Sequence, residues 1–217
     1  IRQVVHVLEA SPWYRRNQGA DHFFVTAWWN GTDVYLGELF KHVFRNVVAG
    51  FFEVSEETKH EPRVRHVFDI PYVANQYADS FNEMEPKSQK VYNFAFRGTM
   101  GTHEDLSCST GLGVRSCVCS LAKALPEQLG ACRLECVARA PLAVSLNATH
   151  LTDHRSQAQG MAQSHYCLVM HGDTLSTSRL YSAVASDCLP VIISDGFRGA
   201  FDGWAVDWNS FALYIPE

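Results

Sequence analysis

Residues 171–196, HGDTLSTSRLYSAVASDCLPVIISDG, combine a glycine, acids, several hydroxyls and an arginine beside apolar runs. The hydroxyl side chains before the predicted helix are Ser176, Thr177 and Ser178. Free backbone N–H groups at a helix start favour an anion, and these hydroxyls can cap the helix or donate to phosphate oxygens. Arg179 adds a permanent charge with fork geometry, and Gly172 lets the backbone approach a ligand closely. The pattern predicts a phosphate or diphosphate at this helix end, with an ordinary capped helix after a loop as the alternative.

Two apolar strands flank the predicted helix. Residues 166–170, YCLVM, form a continuous apolar run, which is typical of a strand covered by helices on both faces. Helical spacing over residues 177–186 directs three side chains inward, Leu180, Ala183 and Val184. Pro190 then introduces a second buried strand, VIIS. Such a strand–helix–strand crossover is nearly always right-handed, and parallel sheets bind ligands beyond the carboxyl ends of their strands. The sequence has neither a G-x-x-x-x-G-K-[ST] loop nor a G-x-G-x-x-G motif, so an ATPase or a classical dinucleotide binder is not favoured.

The rest of the chain alternates apolar runs with helical patterns. The predicted helices are residues 1–11, 35–48 and 153–163, and the main apolar runs are DHFFVTAWW, GFFEV, VFDIPYV and VYNFAFRG. In the first helix Val4, Val5 and Leu8 share one face, with Val7 as a further candidate for it, and Pro12 ends the helix. DHFFVTAWW is predicted to be a buried strand. This alternation predicts an α/β architecture with parallel sheets, and the polar stretch 75–90 is the candidate linker between two lobes.

The composition argues against two classes of protein. The chain has 217 residues and a formal net charge of −5, which argues against a general binder of nucleic-acid phosphates but leaves room for a local basic pocket. No apolar run approaches the ~18 residues of a membrane span. The sequence begins with Ile1 and shows no signal peptide, so we expect an excised piece of a longer protein.

The seven cysteines leave three interpretations open. They are Cys108, Cys117, Cys119, Cys132, Cys136, Cys167 and Cys188. The count is odd, and the CxC and CxxxC spacings do not match a common zinc finger. Disulfides in an oxidising lumen are favoured over a zinc site or plain buried thiols. Two N-glycosylation sequons, at Asn30 and Asn147, favour the same compartment.

Residues 164–196 resemble a known family. SHYCLVMHGDTLSTSRLYSAVASDCLPVIISDG matches almost every fixed position in the signature of the exostosin-type glycosyltransferases, glycosyltransferase family 47. Shorter stretches fit the family in order, namely PWYRRNQGADHFFV (12–25), DIPY (69–72), FAFRG (94–98) and VDWNSFAL (206–213). The similarity covers most of the chain, and residues 103–150 match least.

The resemblance implies an α/β fold of the GT-B type, with two Rossmann-like lobes and parallel sheets. Residues 1–88 would form an incomplete N-terminal lobe that receives a glycan or glycoprotein acceptor. Residues 89–217 would form a C-terminal lobe that binds a nucleotide-diphosphate sugar and is truncated before its last helices. The implied reaction is sugar transfer with inversion at the anomeric carbon. Such enzymes generally need no metal or other cofactor, because positive side chains and helix dipoles neutralise the departing diphosphate.

The resemblance and the helix-end argument together give a set of site residues. The predicted donor-site residues are Arg97, Gly98, His171, Gly172, Asp173, Ser176, Thr177, Ser178, Arg179 and Asp195. An inverting displacement also needs a base for the acceptor hydroxyl proton, and Asp21 and His22 are the best candidates. The structural alternatives are a surface ion pair for Arg97, a turn for Asp195, and a core in which Asp21 pins the ring of His22.

Two residues depart from the family pattern. His171 stands where the family usually has an arginine, so we predict that donor affinity weakens as pH rises through the titration of this imidazole. Arg198 follows Ser-Asp-Gly where the family commonly has a glutamate suited to ribose hydroxyls, a departure that bears on the ribose contact.

These departures keep two other functions open. One is a non-catalytic family member that binds a glycan or a catalytic partner, and the other is a phosphate-binding enzyme unrelated to sugars. From the family alone we expect a single-pass type II membrane protein in the Golgi lumen, anchored by a segment outside this chain. The family also allows a heterodimer with another member, whereas nucleic acid is not expected as a partner.

Overall fold

The computed structural model describes most of the chain. It covers residues 2–26, 46–52, 66–78, 89–100, 112–137, 153–172 and 175–217. Residues 35–45 of a predicted helix, both sequon asparagines, Cys108 and Asp173 therefore lie outside the described residues. The chain divides into two compact units, Ile1–Tyr72 with Gly199–Phe201, and Val73–Arg198 with Asp202–Glu217. The boundary between residues 88 and 89 stays a prediction.

The first unit contains a parallel three-stranded sheet. Its described elements are helices α1 (Arg2–Ala10) and α2 (Pro12–Asn17) and strands β1 (Phe23–Thr26), β2 (Val48–Phe51) and β3 (His66–Asp69). The strand order is β1-β2-β3, and both pairings are parallel. Val47, Ala49 and Phe51 form the core.

Two sequence expectations for this unit are wrong in detail. Val5 and Leu8 of α1 pack against the core, but Val4 is half exposed and Val7 is exposed, so neither shares their buried face. In β1, Phe24 packs inward whereas Phe23 and Val25 are exposed, because successive side chains of a strand point to opposite faces. The predicted end of α1 before Pro12 is correct, and the proline itself begins α2.

The second unit is an α/β layer structure around a parallel five-stranded sheet. Its strands are β4 (Tyr92–Thr99), β5 (Cys132–Val137), β6 (Ser164–Met170), β7 (Leu189–Ile193) and β8 (Leu213–Tyr214). Its described α-helices are α3 (Leu112–Ala124), α4 (Pro126–Leu129), α5 (His154–Ala162) and α6 (Ser178–Ala185). The strand order is β5-β4-β6-β7-β8, with every pairing parallel. The predicted α/β architecture with parallel sheets is therefore confirmed.

The strand order creates a crevice at one end of the sheet. From β4 the chain moves to β5 on one side and then returns to β6 on the other side of β4. Helix α3 packs on the face that carries Phe96 and Leu168, and helices α5 and α6 pack on the opposite face, over Ala95 and Cys167. The next described helices after β4 and β6 therefore lie on opposite faces of the sheet. Open α/β sheets bind ligands in the crevice at such a topological switch point.

The buried strands match the sequence expectation closely. Residues 167–170 of β6 are all buried, and β7 is buried from Pro190 to Ile193. Leu180 and Ala183 of α6 are buried as predicted, but Val184 is exposed. The buried stripe of this short helix is centred between Leu180 and Ala183, which leaves Val184 at its margin.

Disulfides tie the helices and strands of the second unit together. Cys119–Cys136 joins α3 to β5, and Cys167–Cys188 joins β6 to the residue before β7. Cys117 is also disulfide-bonded, whereas Cys132 is a thiol. The disulfide interpretation is confirmed, and a zinc site that uses Cys119 and Cys136 is wrong because their sulfurs are bonded to each other. No described helix is both long and apolar enough to cross a membrane.

Candidate functional site

A buried arginine lies at the start of α6. Arg179 is only 9% exposed. Its Nη2 donates a hydrogen bond of 2.6 Å to the carbonyl oxygen of Arg97, and its guanidinium carbon lies 4.7 Å from the ring centroid of Phe96. Its Nε and Nη1 have no hydrogen-bond partner among the described residues. Burial, together with the nearby charge of Arg115, lowers the pKa of Arg179 to about 9. Two donors of a buried cation are therefore left unsatisfied within that part of the chain.

A second buried arginine reaches the same crevice from the opposite face of the sheet. Arg115 of α3 is 7% exposed, and its guanidinium carbon lies 6.0 Å from the ring centroid of Phe96. Its Nη1 and Nη2 donate 3.4 Å hydrogen bonds to the carbonyl oxygens of Thr99 and Met170, the last residues of β4 and β6. Arg115 therefore spans the switch point between these two strands.

Two glycines make room for these guanidinium groups. A Cβ on Gly98 would lie 2.9 Å from Nη2 of Arg179 and 2.8 Å from the ring of Phe96. A Cβ on Gly172 would lie 2.5 Å from Nη2 of Arg115. All three distances are far below van der Waals contact. At both predicted site residues, the absence of a side chain therefore lets an arginine guanidinium group pack close to the backbone.

Two buried cations that share one aromatic ring are a candidate anion site. Transfer of a charge into a low-dielectric interior is costly unless an opposite charge compensates it. The first turn of α6 adds the positive end of its helix dipole, and Thr177 caps it, with Oγ1 accepting a 3.4 Å hydrogen bond from the N–H of Arg179. We name Arg115, Phe96 and Arg179 with the two glycines the guanidinium site. Its charge and geometry suit a group with several anionic oxygens.

The remaining hydroxyls near α6 differ in exposure. Ser176 is buried and Ser178 is exposed. The contribution of Ser176, Thr177 and Ser178 to phosphate binding stays a prediction.

Arg97 contributes its backbone to the guanidinium site, while its side chain lies elsewhere. Its Nε lies 3.2 Å from Oε2 of Glu135, and Nε of Arg133 lies 3.2 Å from the other oxygen of the same carboxylate. Successive side chains of a strand point to opposite faces, so Arg97 points away from the face that carries Phe96. The ion-pair alternative for this side chain is thus observed, and its direct contact with a donor stays a prediction.

His171 and Asp195 belong to a small polar cluster. Nδ1 of His171 lies 3.0 Å from Oε1 of Glu217, whose side chain is 6% exposed. The backbone N–H of Glu217 donates a 3.2 Å hydrogen bond to Oδ1 of Asp195. Asp195 is exposed in the turn that follows β7, where Gly196 has a φ of 75°. The predicted imidazole charge of His171 therefore faces a carboxylate of the same chain.

The candidate base residues lie in the first unit and contact each other. The carboxylate of Asp21 accepts hydrogen bonds from Arg16, Asn17 and Nδ1 of His22, the last at 2.9 Å. These bonds, led by the one from Arg16, hold the pKa of Asp21 well below its usual range. Asp21 thus holds the ring of His22, as the structural alternative predicts, but the side chains of His22 and Asp21 are 31% and 30% exposed and do not lie in the core. The ring of Tyr14 packs edge-on against His22, with 5.5 Å between centroids.

Sequence reasoning missed Arg115. It occupies a single charged position in the apolar start of α3, LGVRSCV, between Val114 and Val118, which both pack in the core. A permanent charge on a helix face that is otherwise buried is the signal that could have identified it.

Comparisons with known proteins identify the family of this chain. The model of the exostosin GT47 domain matches residues 1–217. A protein named probable arabinosyltransferase ARAD1, from Arabidopsis thaliana, is 33% identical over 63 residues, which cover 29% of this chain and 14% of that protein. The exostosin-1 homolog of Caenorhabditis elegans is 39% identical over 57 residues, which cover 26% of this chain and 15% of that protein. The matched segments thus span about a seventh of each relative. Because the family model matches the whole sequence, the chain belongs to the exostosin GT47 family of glycosyltransferases.

Proposed function

We propose that this protein is an inverting glycosyltransferase that moves a sugar from a nucleotide-diphosphate sugar to a glycan or glycoprotein acceptor. The observation that carries the proposal is the buried guanidinium of Arg179, beside Arg115 at the carboxyl ends of β4 and β6. Membership of a glycosyltransferase family and a relative named as an arabinosyltransferase support sugar transfer as the reaction. In this proposal the two compact units correspond to the two lobes of a GT-B enzyme.

The guanidinium site would hold the leaving group. During transfer the bond between the anomeric carbon and the phosphate oxygen breaks, and its electron pair stays with the diphosphate. Negative charge therefore grows on the leaving oxygens, and fixed cations in a low-dielectric site stabilise it more in the transition state than in the ground state. The hydrogen bond from Arg179 to the Arg97 carbonyl, and those from Arg115 to β4 and β6, orient the two guanidinium groups and support this proposed role. With two cations and a helix dipole available, we propose that the reaction needs no metal ion.

Asp21 and His22 would deprotonate the acceptor. The hydrogen bond from Nδ1 of His22 to Asp21 leaves Nε2 of the same ring to take the hydroxyl proton. Asp21 remains ionised because its pKa lies below the usual range, and it would stabilise the imidazolium that forms. The hydroxyl oxygen then attacks the anomeric carbon opposite the leaving diphosphate, which inverts that centre.

The disulfides favour an oxidising compartment. The second unit contains at least two disulfides. Disulfides form in oxidising compartments and are rare in the reducing cytosol. We propose the Golgi lumen as the location, with a membrane anchor in a segment outside this chain. Assembly with another family member belongs to the same proposal.

The proposed function is tested by donor turnover in the full-length protein. Nucleotide-diphosphate sugars are offered with glycan acceptors, and release of nucleoside diphosphate is measured with and without a metal chelator. We expect turnover that survives chelation and that falls roughly 100- to 1,000-fold in Arg179→Met, as for loss of an oxyanion donor. Arg155→Met, at an exposed arginine of α5, is the matched control and should retain turnover.

Three other outcomes would contradict this function. Glycan binding without nucleotide binding would support the non-catalytic alternative. A preference for simple phosphates over nucleotide sugars would support a phosphate-binding enzyme. Full activity of Arg179→Met would remove the guanidinium site from the mechanism.

A further inference from the structure

A polar cavity adjoins Arg179 on the side of helices α5 and α6. Its volume is about 350 Å³, within the usual range for small-molecule sites. The polar residues that line it include Asn75, Gln76, His154, Gln157, Ser178 and Arg179. One wall is the segment 73–76, and the other consists of the first turns of α5 and α6. A ligand bound at Arg179 can therefore extend into this space.

Asn75 fixes the first wall in place. Its backbone N–H donates a 3.0 Å hydrogen bond to Oγ of Ser182, and its Nδ2 donates one of 2.6 Å to the carbonyl oxygen of His154. Its Oδ1 accepts a 3.0 Å hydrogen bond from the N–H of Tyr77. The asparagine thus ties the segment to both helices, and the cavity is preformed rather than assembled around a ligand.

The charge distribution indicates what kind of ligand fits. Among the described residues that line the cavity, Arg179 is the only one with a permanently charged side chain. Beyond it, Gln76 and Gln157 present amide groups, each of which carries both a donor and an acceptor. A matching ligand has an anionic end and a neutral end with mixed donors and acceptors. A nucleoside diphosphate has both, because its base edge alternates donors and acceptors while its charge is confined to the phosphates.

We infer that this cavity binds the nucleoside of the donor, with Gln76 and Gln157 as the residues that recognise the edge of its base. The inference rests on the proposed function, because it assumes that the diphosphate occupies the guanidinium site. It adds Gln76 and Gln157 as the residues that would distinguish one nucleobase from another. Gln157 already has its Oε1 3.4 Å from Nδ2 of Asn75, so its amide is oriented along the fixed wall.

Calorimetric titration of the full-length protein separates this inference from the proposed function. The probes are inorganic pyrophosphate and the diphosphates of uridine, cytidine, adenosine and guanosine. We expect one nucleoside diphosphate to bind at least tenfold more tightly than pyrophosphate. In Gln76→Ala/Gln157→Ala that nucleotide should lose about tenfold or more in affinity, as expected for loss of buried hydrogen bonds. Pyrophosphate affinity should stay within about twofold.

Matched variants make the result specific. Gln159→Ala, at an exposed glutamine of the same helix, should bind every probe like the wild type. The uncharged Gln157→Met keeps a similar side-chain volume but loses the amide donor and acceptor, so it should also weaken the nucleotide selectively if the double variant proves unstable. Unchanged nucleotide affinity in these cavity variants, or a best nucleotide no tighter than pyrophosphate, overturns the inference while the proposed function stands. Pyrophosphate and nucleotide binding that persists fully in Arg179→Met would overturn the proposed function itself.

Discussion

Replacing Arg179 by methionine should make the ligand-free protein more stable while it abolishes anion binding. Burial lowers the pKa of Arg179 to about 9, well below the usual value for a guanidinium group. At about 1.36 kcal/mol for each pKa unit, the charged guanidinium costs the folded state on the order of 5 kcal/mol. The variant loses a cation–π contact with Phe96 worth about 2 kcal/mol and a charged hydrogen bond to the Arg97 carbonyl worth about 2 kcal/mol. The expected net gain in the free energy of unfolding is about 1 kcal/mol.

The assay is thermal and urea unfolding at pH 7, with and without pyrophosphate. A gain of about 1 kcal/mol raises the Tm of a chain of this size by about 3 °C. The pKa of Arg179 is depressed in the folded state, so the folded state binds fewer protons above pH 9 than the unfolded state does. The free energy of unfolding of the wild type should therefore rise as pH increases through about 9. The difference in this free energy between the wild type and Arg179→Met should narrow. Pyrophosphate at 100 times its Kd should stabilise the wild type by about 2.7 kcal/mol and the variant not at all.

A control variant distinguishes this behaviour from that of a structural arginine. Arg97→Met removes an ion pair with Glu135 and should lower the free energy of unfolding. A loss of 2 kcal/mol or more in ligand-free Arg179→Met would refute the reasoning, because it would show that the guanidinium is already compensated within the chain.

Three further predictions concern the glycines, a disulfide and the candidate base. Gly98→Ala and Gly172→Ala should each lower pyrophosphate affinity about tenfold in calorimetry, because the added methyl displaces a guanidinium group. Replacing Cys167 and Cys188 by alanine should lower the free energy of unfolding by about 3 kcal/mol in urea, since the bridge closes a loop across 21 positions. Asp21→Asn should reduce turnover without changing donor binding. The stabilising effect of the Asp21 carboxylate is present above its ordinary pKa and should be lost as pH falls toward the lowered folded value, which pH-dependent unfolding measures.

Each of these predictions has a control and a contrary result. Gly203→Ala has no neighbour within 4 Å of the new Cβ, although its φ of 76° adds strain, and should leave pyrophosphate affinity unchanged. Equal affinity in all three glycine variants would contradict the close-approach argument. An unfolding free energy unchanged by loss of the disulfide would mean that the loop is constrained in the unfolded chain by other means. Turnover of Asp21→Asn at the wild-type rate would exclude the carboxylate from proton transfer.

Local patterns were sufficient to predict three strands of the second sheet, β4, β6 and β7, whereas β5 and β8 were not anticipated. The uninterrupted apolar run YCLVM corresponds to β6, and the hydroxyl-rich segment before Arg179 leads into α6, because covered parallel strands and capped helices have strong local signatures. The alternation of β1 was not anticipated, since an aromatic-rich run does not reveal that one of its faces is exposed. Periodicity likewise could not decide whether Val4 or Val184 lies inside the buried stripe or at its margin.

Only one of the two arginines of the guanidinium site could be predicted from the sequence. Arg179 follows a recognisable motif, but Arg115 lies 64 positions earlier in the sequence, in the segment that matches the family least. The two meet because the strand order brings the ends of β4 and β6 together, and strand order is a tertiary property that no short pattern encodes. For the same reason, the pairing of the Arg97 side chain with Glu135 depends on the register between β4 and β5, which local sequence does not show.

A crystal structure of the protein with a bound nucleoside diphosphate would test the central claim most directly. We predict diphosphate oxygens at hydrogen-bond distance from Nε or Nη1 of Arg179 and from the guanidinium of Arg115. Diphosphate bound away from both arginines, or an acidic side chain of the protein itself seated between them, would contradict the account.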